Sequence, residues 1–459
     1  MAGMICLRRT GITGFAFLLI KKLLKLLTRH SVCVKQTAQF VYLNKKQAGT
    51  NSGERCYWGI LEERSISRLV ESPKTAQRET MRKRCKNVII IDRNFLRQAI
   101  LKCLKSKLGR MDTLRMFAEY CDVPINLLKK IAHDKKWHFF IGIIETVVDG
   151  VRQEILNGTF VWKPIWYTKK VENGKERRVG IQDVKQQLYD YIAVSGLSEL
   201  LKMIGYYQCA ALPGKGQLMG ARSIYRCLRN KNIRYAWKGD AKHYYENINT
   251  LRLKSLLKKY VKNDILLKIV NALIDSFESG LSIGSYLSQY LANWYMSFAY
   301  HFATEKLIKT RNKRNGESVK VPLISRAYFY MDDILILAKN LKYLKLAVKR
   351  LKEFMQSQLD IVIKPDDQWI DLSHGYIDMM GFVVSRTKMI VRPRIFRRYR
   401  RSILEVRRSG KITTKKARSI ISRYGWMSNA QTRRWQKRNK GFIVVDKCKE
   451  VLRNARISI

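Results

Sequence analysis

Apolar positions along the chain change period several times, and each change predicts an element. From Asn94 to about Gly158 the spacing is helical: Phe95, Ile100, Leu101, Leu104 and Leu108 recur at three and four residues. Leu114, Phe117, Ala118 and Tyr120 resume it after Gly109-Arg110-Met111-Asp112. Phe160 to Tyr167 and then Lys169 to Ile181 are strand-like, and Asn173-Gly174 between two such runs is a strong hairpin signal. A helix is expected from Asp183 through Leu201, and Pro213-Gly214-Lys215-Gly216 reads as a turn entering another over 221–228. Tyr235 to Asp240 predicts a short strand, Leu251 to Phe277 two helices, and Gly280 to Gln289 the opening of a long helix through Ala299. Ser325 to Tyr330 and Ile334 to Ala338 are short, apolar and strand-like, leaving Met331-Asp332-Asp333 at a hairpin tip. Leu344, Val348, Leu351 and Phe354 form the inward stripe of a helix over 341–359, followed by a strand at Ile361 to Pro365. From Arg392 helical spacing returns.

Charge changes this picture most. The 459 residues carry 90 Lys+Arg against 36 Asp+Glu, a net charge of +54. Such an excess repels itself unless a polyanion neutralises it, which points to extended contact with nucleic acid. Nine cysteines without a C-x-x-C pair suit a reducing cytosol, and six histidines without paired spacing offer no zinc site. The apolar run Phe15 to Ile20 is broken by Lys21 and Lys22 and is too short to span a bilayer, so a basic amphipathic helix is expected there. No membrane association and a cytoplasmic location are therefore expected. Residues 1–80 carry no assignable chemistry and read as an extension of unknown role ahead of a start near Met81.

The chemistry concentrates on carboxylates. Asp332 and Asp333 lie between two apolar strands, where burial without partners is costly. Adjacent side chains on extended backbone point to opposite faces, giving one direct metal ligand and one supporting carboxylate. Two hard cations clamping the oxygens of a phosphoryl transfer need such groups plus one from elsewhere. Asp240, ending its own short strand, is placed to be that third group. The hairpin at 166–181 carries Lys170, Lys175, Arg177 and Arg178, cations suited to a triphosphate.

Tyr330-Met331-Asp332-Asp333 in this setting resembles the catalytic centre of reverse transcriptases. Asp240 followed five positions later by Tyr245 resembles their first palm motif, and Ile283-Gly284 with Ser288-Gln289 resembles a third ordered element. Pro213 to Gln217 is similar to a segment of bacterial non-intron enzymes, Ile377 to Val384 to a primer grip, and Ser422 to Trp426 to the end of their thumbs. The likeness spans roughly residues 160–459. Pro-Gln-Gly of group II intron enzymes and the retron elements are absent, whereas Gly-x-x-x-Ser-Gln occurs in diversity-generating and defence-associated groups.

The resemblance implies an α+β right-hand polymerase: a helical N-terminal region at 81–159, fingers at 160–235, an antiparallel-sheet palm at 236–391 and a basic helical thumb at 392–459. It implies Asp240, Asp332 and Asp333 as catalytic residues holding two Mg2+ ions. Tyr245 would exclude a 2′-hydroxyl, and Arg177, Lys170, Gly284 and Gln289 would contact the dNTP. Lys364 matches the lysine proposed to protonate pyrophosphate, and Gly381 and Phe382 fall in the primer grip. The activity so implied is RNA-directed DNA synthesis, making cDNA from a dedicated noncoding RNA in bacterial anti-phage defence or in sequence diversification. A homo-oligomer or an accessory protein would be compatible. A catalytically silent RNA-binding protein on the same fold is the alternative of another class.

Overall fold

A computed structural model describes residues 83–457 except 135 and 173. The extension 1–80, its amphipathic run and Asn173 of the hairpin turn lie outside the described residues. By internal contacts the chain forms two compact units, one containing Ser106–Val151 and the other Lys83–Lys105 with 152–457. The expected helical stretch 81–159 is thus shared between them, and the later boundary falls inside a helix.

In the first unit, α2 (Met111–Cys121) and α3 (Ile125–His133) precede the start of α4 (Phe140–Asn157). Phe117 and Phe140 pack with ring centres 5.5 Å apart. Helix α1 (Arg93–Leu104) belongs to the second unit and begins on Asp92, whose carboxylate accepts the Phe95 amide at 2.7 Å.

The second unit opens with the expected hairpin, β1 (Trp166–Glu172) paired antiparallel to β2 (Lys175–Ile181). Helix α5 (Val184–Gly196) is capped by Asp183 and stops short of Leu201; a single turn, Ser198–Leu201, follows it. Helix α6 runs Gln217–Leu228, four residues earlier than its apolar pattern suggests. Helices α7 (Thr250–Tyr260) and α8 (Asp264–Asp275) begin on Asn249 and Asn263, and α9 (Tyr286–His301) begins on Ser285.

Four antiparallel strands make the central sheet: β3 (Tyr235–Asp240), β6 (Arg326–Tyr330), β7 (Asp333–Ala338) and β8 (Gln368–Asp371), in the order β6-β7-β3-β8. Ile361 to Pro365 does not form the expected strand. It makes one bridge, Ala241 with Ile363, and Pro365 lacks the amide a ladder needs. A small hairpin, β4 (Ile308–Asn312) with β5 (Ser318–Pro322), was not expected; its alternation is confined to Val319 and Val321 of β5.

Period-two alternation sorts the sheet into two faces. Tyr328, Leu335, Leu337 and Ala236 share one, where they join a core with α6 and the three-stranded sheet β9 (Ile377–Met379), β10 (Phe382–Val384) and β11 (Met389–Val391). Helices α11 (Pro393–Ser409), α12 (Thr414–Met427), α13 (Arg433–Arg438) and α14 (Gly441–Ile457) close that core through Tyr399, Ile403, Ile420 and Val445. Helix α10 (Leu341–Leu359) also packs against β3 and β7. Six cysteines among the described residues are not in disulfides. No helix of the described residues is long and apolar enough to cross a membrane.

Candidate active site

The register puts carboxylates at one end of the sheet. Asp240 lies directly opposite Asp333, and Tyr330 opposite Asp333, so Met331 and Asp332 alone form the hairpin loop. Met331 has φ +54°, a conformation that a two-residue hairpin turn demands and that costs a side chain about 1–2 kcal/mol. The loop is stitched down by the Ala241 amide, which donates to the Asp332 carbonyl at 3.1 Å.

Asp332 and Asp240 meet within hydrogen-bonding reach, and burial followed by the Asp240 charge pushes the Asp332 carboxyl up to about 7. Asp333 is also raised, chiefly by burial, and turns to Lys238, whose Nζ stands 3.5 Å from its Oδ1. The three acids therefore divide: Asp240 and Asp332 converge, while Asp333 is neutralised from β3. Lys238, two residues before Asp240 on the same face, was missed in the sequence; period two alone could have found it. Lys364 reaches the same pair, because its amide donates to the Asp240 carbonyl at 2.9 Å and its Nζ forms an ion pair with the Asp240 carboxylate.

Above the turn, Tyr245 is half-buried and its hydroxyl donates to the Met331 sulfur at 3.8 Å. Burial and then Asp332 lift this phenol, and Arg177 opposes them, so the guanidinium acts on the same spot. Tyr244 is instead core, its hydroxyl donating to the Ala292 carbonyl at 2.6 Å. Lys170 and Arg177 are cross-strand partners on β1 and β2 and so share a face, both exposed. Arg178, on the other face, is committed to Glu278 at 2.5 Å and lies 4.0 Å from the centre of the Tyr167 ring.

Gly284 is required where it stands. With φ +119°, a Cβ there would lie 2.3 Å from the Gly180 carbonyl oxygen, and the Gly180 amide donates to the Ile283 carbonyl at 2.7 Å. This contact docks the β1–β2 hairpin onto the loop before α9. Gln289 is exposed one turn into α9. The loop is braced by Asp190, which the sequence pattern had left as an ordinary helix residue. Its buried carboxylate accepts the Ser285 hydroxyl at 2.8 Å and the Tyr286 amide at 2.9 Å, and burial pushes it up to about 6.

Gly381 has φ +81° and presses on Trp426, while Phe382 is buried with its ring centre 5.2 Å from Trp426. Gly381 lies in the β9–β10 turn and Phe382 opens β10, its side chain facing the core. Lys215, in the turn that enters α6, donates to the carbonyls of Ile204 and Gly205 at 3.3 and 3.1 Å. Gln217 holds the β6–β7 hairpin, its Nε2 donating to the Tyr330 hydroxyl at 2.9 Å.

Among the described residues, no group of three or more His, Cys, Asp or Glu side chains is arranged to hold a metal ion. Mg2+ commonly takes only one or two carboxylates and completes its shell with water and substrate phosphates. Asp240 and Asp332, two hard-oxygen groups brought together at the hairpin turn, fit that donor set.

No protein-family model and no curated protein matches the chain. Among solved structures, apo telomerase from Candida tropicalis truncated from its C-terminal domain superposes with a TM-score of 0.35 at 12% identity, over 58% of this chain and 71% of that one. At that distance the likeness fixes neither fold nor activity.

Proposed function

We propose that the chain is an RNA-directed DNA polymerase of right-hand form, with β1–β2 in the fingers, the central sheet as palm and α11 to α14 as thumb. The observation that carries this reading is the convergence of Asp240 and Asp332 below Tyr245, whose phenol feels the charge of Arg177. Asp240 and Asp332 would hold two Mg2+ ions, which when bound lower the energy of charge developing on the attacking and leaving oxygens. Arg177 and Lys170 offer positive charge to a triphosphate, and Tyr245 closes the space a 2′-hydroxyl would need. Lys364, ion-paired with Asp240, would deliver a proton to departing pyrophosphate. Exposed Arg397, Arg398, Arg400 and Arg401 on α11 supply the cationic wall for a duplex. In this reading the template is a dedicated noncoding RNA and the setting bacterial defence; a diversity-generating role would differ in its template and in an accessory protein.

The test supplies purified protein with Mg2+, a primed RNA template and labelled dNTPs. Template-length DNA is the expected product, with ribonucleotides used poorly and used better by Tyr245→Val. Retained RNA with no synthesis across primers and all four dNTPs would sink the proposal and favour the silent RNA-binding alternative.

A further inference from the structure

The β4–β5 hairpin serves none of the chemistry above. Every residue of β4 is exposed and β5 buries nothing fully. A two-stranded hairpin without a core is marginal by itself, and one lysine would suffice to blunt its edge. Between Ile308 and Pro322 it carries Lys309, Arg311, Lys313, Arg314 and Lys320 against the single acid Glu317. The register places Lys309 and Arg311 on one face, Lys320 on the other and Arg314 in the turn, so the charge surrounds the element.

Its base is fixed to α10. Arg350 donates to the Ile308 carbonyl at 3.1 Å, and Lys309 Nζ lies 5.8 Å from the Tyr343 ring centre. Val321 and Pro322 then form one wall of a cleft of about 590 Å³. Arg226, Arg326, Lys339, Asn230, Asn340 and Tyr343 line it, and among the described residues no acidic side chain does. Beyond it α10 exposes Lys342, Lys345 and Lys349. Arg326 begins β6 and Tyr330 ends it, so about 13 Å of strand, at about 3.3 Å per residue, separates this cleft from the carboxylate turn.

We propose that the hairpin, the cleft and the outer face of α10 form a docking surface for a single-stranded RNA segment held outside the catalytic groove. Cations on three elements track a phosphate backbone, the tyrosine gives a base a ring to stack on, and the amides can meet base edges. An acidic protein surface would use the cations and leave the ring and amides idle. The proposal rests on the polymerase reading only in taking the strand to be RNA.

The test uses the full chain and a 4-thiouridine-containing single-stranded RNA, with photo-crosslinks mapped to peptides. Adducts on the peptides bearing Tyr343 and the hairpin are expected. They should fall on the order of tenfold in a variant carrying Lys309→Ala, Arg311→Ala, Arg314→Ala and Lys320→Ala, all exposed positions. Its binding should lose up to about 3 from the salt-dependence slope, at about 0.7 per lost phosphate contact. Extension of a short pre-annealed primer–template, too short to reach this surface, should be unchanged. Crosslinks confined to other peptides would overturn the proposal, as would displacement of the RNA by polyglutamate at equal charge concentration, which would assign the surface to an acidic protein. Wild-type protein that crosslinks here yet extends no primer would support the surface while removing the polymerase reading.

Discussion

Two hairpin turns in this molecule share their length and the conformation of their first residue, and differ in the second residue and in what they hold. Met331-Asp332 joins β6 to β7 and Met380-Gly381 joins β9 to β10; each is a two-residue loop whose first residue is a methionine at φ +54°. The second follows local preference, since Gly381 accepts φ +81° and Met380 is buried beside Gly220. The first places Asp332 where burial and Asp240 both oppose its charge. Met331 is only half-buried and its sulfur accepts the Tyr245 hydroxyl. Strain at a turn is thus repaid by apolar packing in one hairpin. In the other it is accompanied by electrostatic cost, the pattern expected where geometry serves chemistry rather than stability.

The largest effect should come from Asp332→Asn. Primer extension is expected to fall about a hundred- to a thousandfold, a loss typical of removing a group that stabilises transition-state charge, while urea unfolding at pH 8 shows stability equal to or above that of wild type. Unfolding at lower denaturant would mean that the turn needs its acid structurally, and the contrast between the hairpins would fail.

Met380→Gly and Met331→Gly should then move stability in different directions. The first empties a core site and is expected to cost about 2–4 kcal/mol. The second relieves a positive φ and should change stability by no more than about 1 kcal/mol, toward higher stability. Equal losses in chemical denaturation would erase the distinction.

Asp190 sharpens the comparison, being a buried carboxylate met by donors rather than by another acid. Its folded value near 6 lies above the ordinary 3.8, so its stabilising contribution is full below about pH 4 and is lost as pH rises through 6. The sign follows because the folded state binds the extra proton. Relative to Asp190→Asn, wild type should lose at most about 3 kcal/mol between pH 4 and 7. A melting difference between the two proteins that does not vary with pH would show that the donors have cancelled the burial. Smallest of all, Lys238→Met should alter synthesis by about tenfold or less, because it acts through Asp333; an effect as large as that of Asp332→Asn would make Asp333 an equal partner in the chemistry.

Much of this was legible in the chain. The hairpin flanking Asp332, the strand ending at Asp240, the β1–β2 hairpin, the paired helices at 250–275 and the stripe of α10 all follow from period and turn chemistry, which are local. Boundaries failed where a distant partner intervened: α6 starts at Gln217, whose side chain reaches Tyr330, and the strand expected at Ile361 is reduced to one bridge next to Pro365.

What the sequence determined by itself was the set of chemical groups and their local frames: the acids, the alternation that sorts them by face, the cationic hairpin and the charge that calls for a polyanion. Only the tertiary structure decided which groups meet. It paired Asp240 with Asp332, turned Asp333 to Lys238, set Asp190 beneath the loop before α9 and withdrew Lys215 to backbone carbonyls. The reason is physical: period and propensity act within a few residues, whereas the cost of burying a charge is settled by whichever donor or acid arrives from elsewhere in the chain.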